Sequence, residues 1–158
     1  MHSSFYHLVK NKLKFGFFLF TKLPAAFFSG VKLKEINEDQ AVTFVTYRWF
    51  TTNPFRSTYF ACLAMAAEMS TGLLAMAYVH DQSPSVSMLV QKMEAVYHKK
   101  AVGRTYFTCN DGKEFEEKIR QTKTNGNPQT VTSTSIGKDK DGNLIAEFVF
   151  TWALKRKG

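Results

Sequence analysis

Residues 57–79 read STYFACLAMAAEMSTGLLAMAYV, and this stretch decides the fold. Alanine, methionine and leucine occur on every side, which predicts one long helix with Ser57 or Thr58 as its N-cap. A helix that is apolar all round must be enclosed on several sides in a soluble protein, and a sheet curled around it would do this. The helix is also long enough to cross a bilayer. Against a membrane span, Glu68 lies at its midpoint, where an ionised carboxylate is costly in lipid.

Glu68 is the informative residue of this helix, because it is the only formally charged side chain on it. Burying a carboxylate without partners costs several kcal/mol or raises its pKa. One interpretation is structural, with Glu68 paired to Arg48 or Arg56 or lying near an exposed helix end. The other is functional, with Glu68 as a general base or nucleophile in a cleft. Ser70 or Thr71 would then orient the carboxylate or a water, although such hydroxyls often bond back to the helix backbone.

The segments around this helix have the residue types and alternation of strands. A hairpin precedes the helix and four strands follow it, with a turn at Asp141-Gly142. The predicted strands are 31–36, 41–50, 86–97, 101–109, 129–136 and 144–154. Residues 111–128 are predicted to form a polar helix or loop. The pattern contains no repeat and no linker, so we expect a single α+β domain over residues 1–158.

The N-terminal segment is strongly basic, with six lysines and no acid before Glu35 in a chain of net charge +8. Its apolar residues recur at three- and four-residue steps, which predicts an amphipathic helix ending near Pro24. The residues of this stripe are Phe5, Leu8, Val9, Leu13, Phe17 and Phe20. One interpretation is a covering helix over residues 1–28, packed on a core of 31–154. The alternative is a helix that lies in the headgroup plane of a membrane.

Other classes of function have little support in the sequence. Cys62 and Cys109 are too few for a disulfide framework or a cysteine zinc cage, so a reduced, cytoplasmic protein is expected. No pair of histidines or cysteines has ligand spacing and no glycine motif cradles phosphate, so we expect no metal and no cofactor. Lys22 and Pro24 interrupt the apolar run that a secretory signal needs. Nucleic-acid binding is not expected, because the aromatics are not interleaved with basic residues in strands.

The loop and helix around Glu68 carry a recognisable motif. It runs Asn53-Pro54-Phe55-Arg56-Ser57-Thr58-Tyr59-Phe60-Ala61, then Ala66-Ala67-Glu68-Met69 and Gly72. This motif resembles that of the hotdog-fold acyl-CoA thioesterase superfamily, and the added N-terminal helix resembles a branch largely of unknown function. The resemblance covers most of the chain from about residue 31. It implies a hotdog fold, in which an antiparallel sheet wraps around one long apolar helix, here about 57–79.

The resemblance also implies a catalytic site. The mid-helix acid of that superfamily is the catalytic carboxylate, which here corresponds to Glu68. A backbone N–H at the helix start polarises the thioester carbonyl, and the matching positions are Tyr59, Phe60 and Ala61, where orphan amides and the helix dipole favour an oxyanion. Relatives often carry His-Gly-Gly there, so this chain departs from the pattern by placing two aromatic rings at the helix start.

The resemblance also implies further site residues. Asn53 matches an asparagine that lies beside the thioester in relatives, and its alternative role is that of a turn residue before proline. Thr71 joins Glu68 and Asn53 in the expected catalytic group. Arg56 and Ser70 join the helix-start residues in the expected substrate-binding group. The charge pattern itself offers two basic runs that could meet the phosphates of coenzyme A, with solvated surface charge as the favoured alternative. They are Lys99, Lys100 and Arg104, and Lys155, Arg156 and Lys157.

The function implied is hydrolysis of acyl-CoA or acyl-carrier-protein thioesters without a metal. The alternative is a fatty-acyl or lipid binder without turnover, because the departure from His-Gly-Gly weakens catalysis more than binding. Hydratase chemistry is disfavoured, since no histidine lies in the loop before the central helix. Hotdog proteins usually form a homodimer or a dimer of dimers, and strand 86–97 is the expected pairing edge.

Overall fold

The computed structural model of the chain describes residues 4–80 and 83–157. Five α-helices and six strands are present in these ranges. In chain order they are α1 (Ser4–Lys10), α2 (Lys12–Lys22), α3 (Pro24–Ser29), β1 (Lys32–Ile36), β2 (Ala41–Thr46), a 3₁₀ helix (Trp49–Thr51), α4 (Phe60–Val79), β3 (Val86–Tyr97), β4 (Arg104–Cys109), α5 (Gly112–Asn125), β5 (Gln129–Asp139) and β6 (Leu144–Arg156).

The six strands form one antiparallel sheet in the order β1-β2-β4-β5-β6-β3. The apolar helix α4 packs against β1, β2, β4, β5 and β6, so the sheet wraps around it. Although α4 is long and apolar enough to cross a membrane, most of it is buried inside the fold, which is typical of a core helix. The predicted α+β architecture is therefore confirmed.

Polar contacts hold α4 in one orientation on the sheet. The Thr43 hydroxyl on β2 donates to the carbonyl oxygen of Ala66 over 2.6 Å. The hydroxyl oxygens of Ser70 and Ser135 lie 2.8 Å apart between α4 and β5, and both side chains are fully buried. Because a buried hydroxyl without a partner would cost free energy, these contacts favour one rotation of the helix about its axis. That rotation determines where Glu68 points.

The boundaries of several predicted elements need correction. The N-cap of α4 is Tyr59 instead of Ser57 or Thr58, because the Ser57 side chain bonds to Asn53 and the Thr58 hydroxyl donates to the carbonyl oxygen of Ala101. The predicted strand 41–50 ends at Thr46, and the chain then turns through the 3₁₀ helix. The polar segment 111–128 is a helix, α5, which buries Phe115 and Ile119.

The N-terminal segment forms three short helices, so the prediction of one continuous helix was wrong. Asn11 divides α1 from α2, because its Oδ1 accepts the backbone N–H of Leu13 and Lys14 and so caps a new helix. The break changes which side of α2 faces the core. Phe15 and Leu19 are buried, whereas three residues of the predicted buried stripe are exposed, namely Leu13, Phe17 and Phe20.

The two edges of the sheet differ in length and chemistry. The edge strand β1 has five residues, including Lys32, Lys34 and Glu35, and such short charged strands resist further pairing. The other edge strand, β3, has twelve residues. Its exposed side chains include the large apolar groups of Leu89, Met93, Val96 and Tyr97. A long apolar edge of this kind is suited to pairing with another strand.

Candidate functional site

Glu68 lies half-way along α4, where its carboxylate folds over the next turn of the helix. A Cβ built on Gly72 would lie 3.1 Å from Glu68 Oε1 and 3.4 Å from Cη2 of Trp152, so a larger residue here would crowd the carboxylate against Trp152. Among residues 4–80 and 83–157, no ion pair involves Glu68. Arg48, one of the predicted partners, donates instead to the carbonyl oxygen of Phe28 over 2.9 Å.

The protonation of Glu68 reflects this environment. Burial raises the pKa of its carboxyl group from 4.5 to about 6, because water is removed from around the charged form. Such a group is still mostly ionised at pH 7, yet it accepts a proton more readily than an exposed glutamate. A carboxylate with these properties is suited to general-base catalysis when it faces a cavity.

Glu68 does face a cavity, which we call the Glu68 cavity. Its volume is about 310 Å³, and it lies between α4 and the junction of α2 with α3. Lys22 is the one basic residue in its wall, and the remainder of the wall is mainly apolar. The lining residues are Lys22, Leu23, Pro24, Ala25, Ala26, Met65, Glu68 and Met69. The N-terminal helices therefore form one wall of the space beside the carboxylate.

A second and larger space, the helix-start cavity, lies at the N-terminal end of α4. Its volume is about 540 Å³, and it is bounded by the loop before α4 and by the turn between β3 and β4. Its wall includes Asn53 and two of the predicted helix-start residues, Tyr59 and Phe60. The other lining residues are Pro54, Phe55, Ser57, Thr58, Leu63, Tyr97, His98, Lys99, Lys100 and Ala101.

The backbone amides at the start of α4 are not equivalent. The N–H of Tyr59 donates to the carbonyl oxygen of Thr51 over 2.7 Å and is therefore occupied. The N–H groups of Phe60 and Ala61 have no acceptor within the described ranges, as expected for the first turn of a helix. Of the three predicted oxyanion donors, only these two are available to a ligand.

Asn53 and Arg56 belong to the loop that leads into α4. The Asn53 side chain organises this loop, because its Oδ1 accepts the N–H of Phe55 and its Nδ2 donates to the Ser57 hydroxyl. Arg56 has a positive φ of 57°, an unusual conformation for a residue other than glycine. Asn53 thus has the turn role, and its side chain also borders the helix-start cavity.

The hydroxyl groups next to Glu68 do not orient its carboxylate. Thr71 Oγ1 donates to the backbone oxygen of Glu68 over 2.9 Å and accepts the Trp152 Nε1–H over 3.0 Å. Ser70 is fully buried against Ser135 of β5 and lines neither cavity. The assignment of Ser70 to substrate binding is therefore corrected, because the rotation of α4 turns it towards the sheet.

Comparison with known sequences decides the family. A family model described as Domain of unknown function (DUF4442) matches residues 15–154. The chain belongs to this family. No curated protein matches the DUF4442 chain.

Solved structures similar to the DUF4442 chain show its fold. The protein PA5026 of Pseudomonas aeruginosa, named a probable thioesterase, has a TM-score of 0.77 at 16% identity, over 92% of this chain and 96% of its own. Thioesterase HI1161 of Haemophilus influenzae has a TM-score of 0.66 at 9% identity, over 91% and 90%. The E. coli PaaI protein from the phenylacetic acid degradation operon has a TM-score of 0.66 at 12% identity, over 96% of each. The predicted hotdog fold is confirmed.

The six basic residues that the sequence suggested for phosphate binding do not lie together in the DUF4442 chain. Lys99 and Lys100 line the helix-start cavity. Arg104 instead stacks over Phe44, with its Cζ 4.6 Å from the ring centre. Residues 155–157 lie at the far end of β6, where it pairs with the beginning of β3. Only the two lysines are therefore placed to meet a ligand in the helix-start cavity.

The predicted carboxylate and the predicted amides are not brought together in one DUF4442 chain. Phe60 and Glu68 are eight residues apart on α4, which corresponds to about 12 Å along the helix axis. A reacting carbonyl group must lie about 3 Å from both its base and its oxyanion donors. The two cavities also share no lining residue. Within one chain, the carboxylate and these amides are therefore too far apart to contact the same carbonyl group.

Two positions beside Glu68 had no assigned role in the sequence. Gly72 follows Glu68 by one helical turn. Residues at this spacing are neighbours on the helix surface, so the sequence indicated that the Glu68 carboxylate lies next to Gly72. Trp152 approaches from β6, 84 positions along the chain from Glu68, and no local pattern indicated it. Among the described residues no cluster of three or more His, Cys, Asp or Glu could hold a metal ion.

Proposed function

We propose that this protein hydrolyses acyl thioesters of coenzyme A or of an acyl carrier protein. One observation carries the proposal: the Glu68 carboxylate has a raised pKa, forms no ion pair in the described part of the chain, and opens onto a cavity. The hotdog fold supports it, because the similar structures include proteins named as thioesterases. Thioester hydrolysis needs a proton acceptor and oxyanion donors but no metal.

Glu68 supplies the base or the nucleophile. With a pKa of about 6 it is mostly ionised at pH 7, so it can take a proton from water as that water attacks the thioester carbonyl. Alternatively, the carboxylate attacks the carbonyl itself and forms a mixed anhydride that water then hydrolyses. In both routes the C–S bond breaks and the thiolate leaves. Gly72 leaves space for the carboxylate because it adds no side chain to this turn.

The start of α4 supplies the oxyanion donors. The free N–H groups of Phe60 and Ala61, together with the positive end of the helix dipole, stabilise the negative oxygen of the tetrahedral intermediate. Donors of this kind typically contribute about 10²- to 10³-fold in rate. Thr71 acts as a positioning residue, since its hydroxyl joins α4 to Trp152.

A second copy of the chain completes the site. Since Phe60 and Glu68 of one chain are about 12 Å apart, the amides and the carboxylate that act on one carbonyl come from two chains. Pairing of two β3 edges about a two-fold axis extends the sheet and covers Leu89 and Val96. Such an isologous homodimer forms two equivalent sites, each with Glu68 from one copy and a helix start from the other.

The two cavities suggest how the substrate lies. Lys99 and Lys100 in the helix-start cavity suit the phosphates of coenzyme A or of a phosphopantetheine arm. The apolar wall of the Glu68 cavity, with Met65 and Met69, suits the acyl chain. We place the reaction in the cytoplasm, because Cys62 and Cys109 are free and buried, as in reduced proteins.

The test is the release of free thiol from acyl-CoA by wild type and Glu68→Gln. The amide keeps the shape of the side chain but accepts no proton, so we expect kcat to fall at least about 100-fold. Glu114→Gln on α5, which removes one exposed carboxylate, is the matched control and should keep wild-type turnover. Turnover retained by a folded Glu68→Gln protein would reject the proposed role.

A second candidate function is acyl binding without turnover. The aromatic residues at the start of α4 favour this function. The rings of Tyr59 and Phe60 lie there with centroids 4.9 Å apart, where relatives often carry His-Gly-Gly. Both side chains are about half exposed and narrow the approach to the free amides. Stoichiometric binding of acyl-CoA with thiol release no faster than the blank would favour this function over hydrolysis.

A further inference from the structure

The short helix α2 is apolar on two opposite sides. Phe15 and Leu19 are buried on one side. Leu13, Phe17 and Phe20 form the other, with exposed fractions of 87%, 70% and 50%. At about 100° per residue, these three lie within a narrow sector of the helix, roughly opposite the buried pair. Packing within one chain therefore explains only one of the two apolar sides.

Further aromatic side chains extend this exposed side into a patch. The rings of Phe20, Phe27 and Phe28 contact one another with centroids 5.3 to 6.2 Å apart, and all three are exposed. Arg48 links Phe28 to the 3₁₀ helix, where Trp49 is 88% exposed. Single exposed apolar residues are ordinary, but a contiguous cluster marks an interaction surface. We call residues Leu13, Phe17, Phe20, Phe27, Phe28 and Trp49 the aromatic patch.

The charged residues of the helices that carry most of the patch are all positive. Lys12 and Lys14 flank Leu13 in the sequence, so they lie about 100° to either side of it around the helix. Lys10 is the last residue of α1 and Lys22 is the last residue of α2. Residues 1–34 contain no acid. Helices that expose large apolar groups and whose charged side chains are all cations are complementary to an anionic, partly apolar partner.

We propose that the aromatic patch binds the surface of an anionic phospholipid bilayer. The aromatic and leucine side chains enter the boundary between headgroups and acyl chains, while Lys12 and Lys14 extend to the phosphates. With eleven residues, α2 is about 16 Å long and lies in the interface instead of spanning the bilayer. This binding is independent of the proposed hydrolase activity.

A second copy of the chain fits this surface less well. An isologous contact through the patch would place the lysines of α1 and α2 against the same lysines of the other copy, with no acid from these helices to offset the repulsion. The long edge of β3 offers a better surface for self-association. We therefore assign the aromatic patch to lipid.

The test is co-sedimentation of the full-length protein with two kinds of vesicle, phosphatidylcholine alone and phosphatidylcholine with about 30% phosphatidylglycerol. We expect the wild type to bind the anionic vesicles and to dissociate as salt rises, because surface charges are screened. Phe17→Ser/Phe20→Ser should lower the partition coefficient at least about tenfold, since two apolar side chains no longer enter the interface. Lys12→Glu/Lys14→Glu should remove the preference for phosphatidylglycerol.

The controls are changes of the same kind elsewhere on the surface. Val102→Ser removes an exposed apolar group, and Lys140→Glu reverses an exposed charge, and both should bind as the wild type does. Circular dichroism of each variant confirms folding. Equal sedimentation of wild type and both patch variants would overturn the proposal. So would a patch variant that changes the oligomeric state of the protein in solution, since a second copy would then be the occupant.

Discussion

Both halves of α4 are mainly apolar, but their surroundings differ. From Met69 onwards almost every side chain is buried beneath the sheet and α5. From Phe60 to Glu68, one side of the helix remains partly open, and its residues are Phe60, Ala61, Ala64, Met65 and Glu68. The second half serves the stability of a single chain. The first half holds the free amides and the unpaired carboxylate, so it is where we expect the chemistry.

The largest expected effect tests whether the two functional groups of the first half act across two chains. Phe60→Pro removes one free N–H at the first helical position, which tolerates proline, and the extended Tyr59 (ψ 132°) is compatible with a following proline. We expect at least a 100-fold loss of thiol release for Phe60→Pro, and likewise for Glu68→Gln. Dimers mixed from the two variants should regain activity, because one of their two sites then has both intact groups.

Phe60→Ala is the control for this experiment, since it removes the ring but keeps the amide. It should retain activity within about tenfold of the wild type, well above Phe60→Pro. If mixed dimers stay inactive although subunit exchange is demonstrated, the amides and the carboxylate act within one chain. The proposed two-chain site would then be rejected.

The second effect concerns the stability of the two halves. Leu74 is fully buried, whereas Met65 is only partly buried. Leu74→Ala should lower the free energy of unfolding by about 2–5 kcal/mol, because it leaves a cavity in a close-packed core. Met65→Ala should cost less than half as much. Urea unfolding followed by circular dichroism measures both changes, and an equal loss for the two variants would show that the first half is enclosed as well.

The third effect is a pH-dependent gain in stability on removal of the charge at Glu68. Burial raises its pKa from 4.5 to about 6, so the folded chain binds more protons between these values and its stability falls as pH rises through them. Glu68→Gln should match the wild type below pH 4. Above pH 7 it should be more stable by about 2 kcal/mol, since a shift of one pKa unit corresponds to about 1.4 kcal/mol.

Thermal or urea unfolding of both proteins between pH 4 and 8 measures this difference, with Glu114→Gln as an exposed control. A difference that does not change with pH would show that Glu68 titrates normally. The buried carboxylate would then lack the raised pKa on which its role as a base depends.

Local patterns in the sequence predicted most elements of the fold. The strand Val86–Tyr97, the central helix and the turn at Gly142 follow from periodicity and turn residues, which act over a few positions. The N-terminal helices were harder to predict. Asn11 caps a new helix, so the side of α2 that faces the core differs from the side that one continuous helix would bury. The N-cap of α4 was also misplaced, since Thr58 bonds to Ala101, 43 positions away.

The sequence by itself determined that one carboxylate would lie in an apolar helix, and hence that Glu68 would be the residue to examine. It also determined that the helix start would present aromatic rings. Only the tertiary structure decided that Tyr59 donates its amide to Thr51, that Ser70 turns to the sheet, and that α2 and α3 wall the space beside Glu68. The physical reason is that α4 is apolar on every side, so its sequence carries no signal for its rotation. That rotation is set by distant partners such as Thr43 and Trp152.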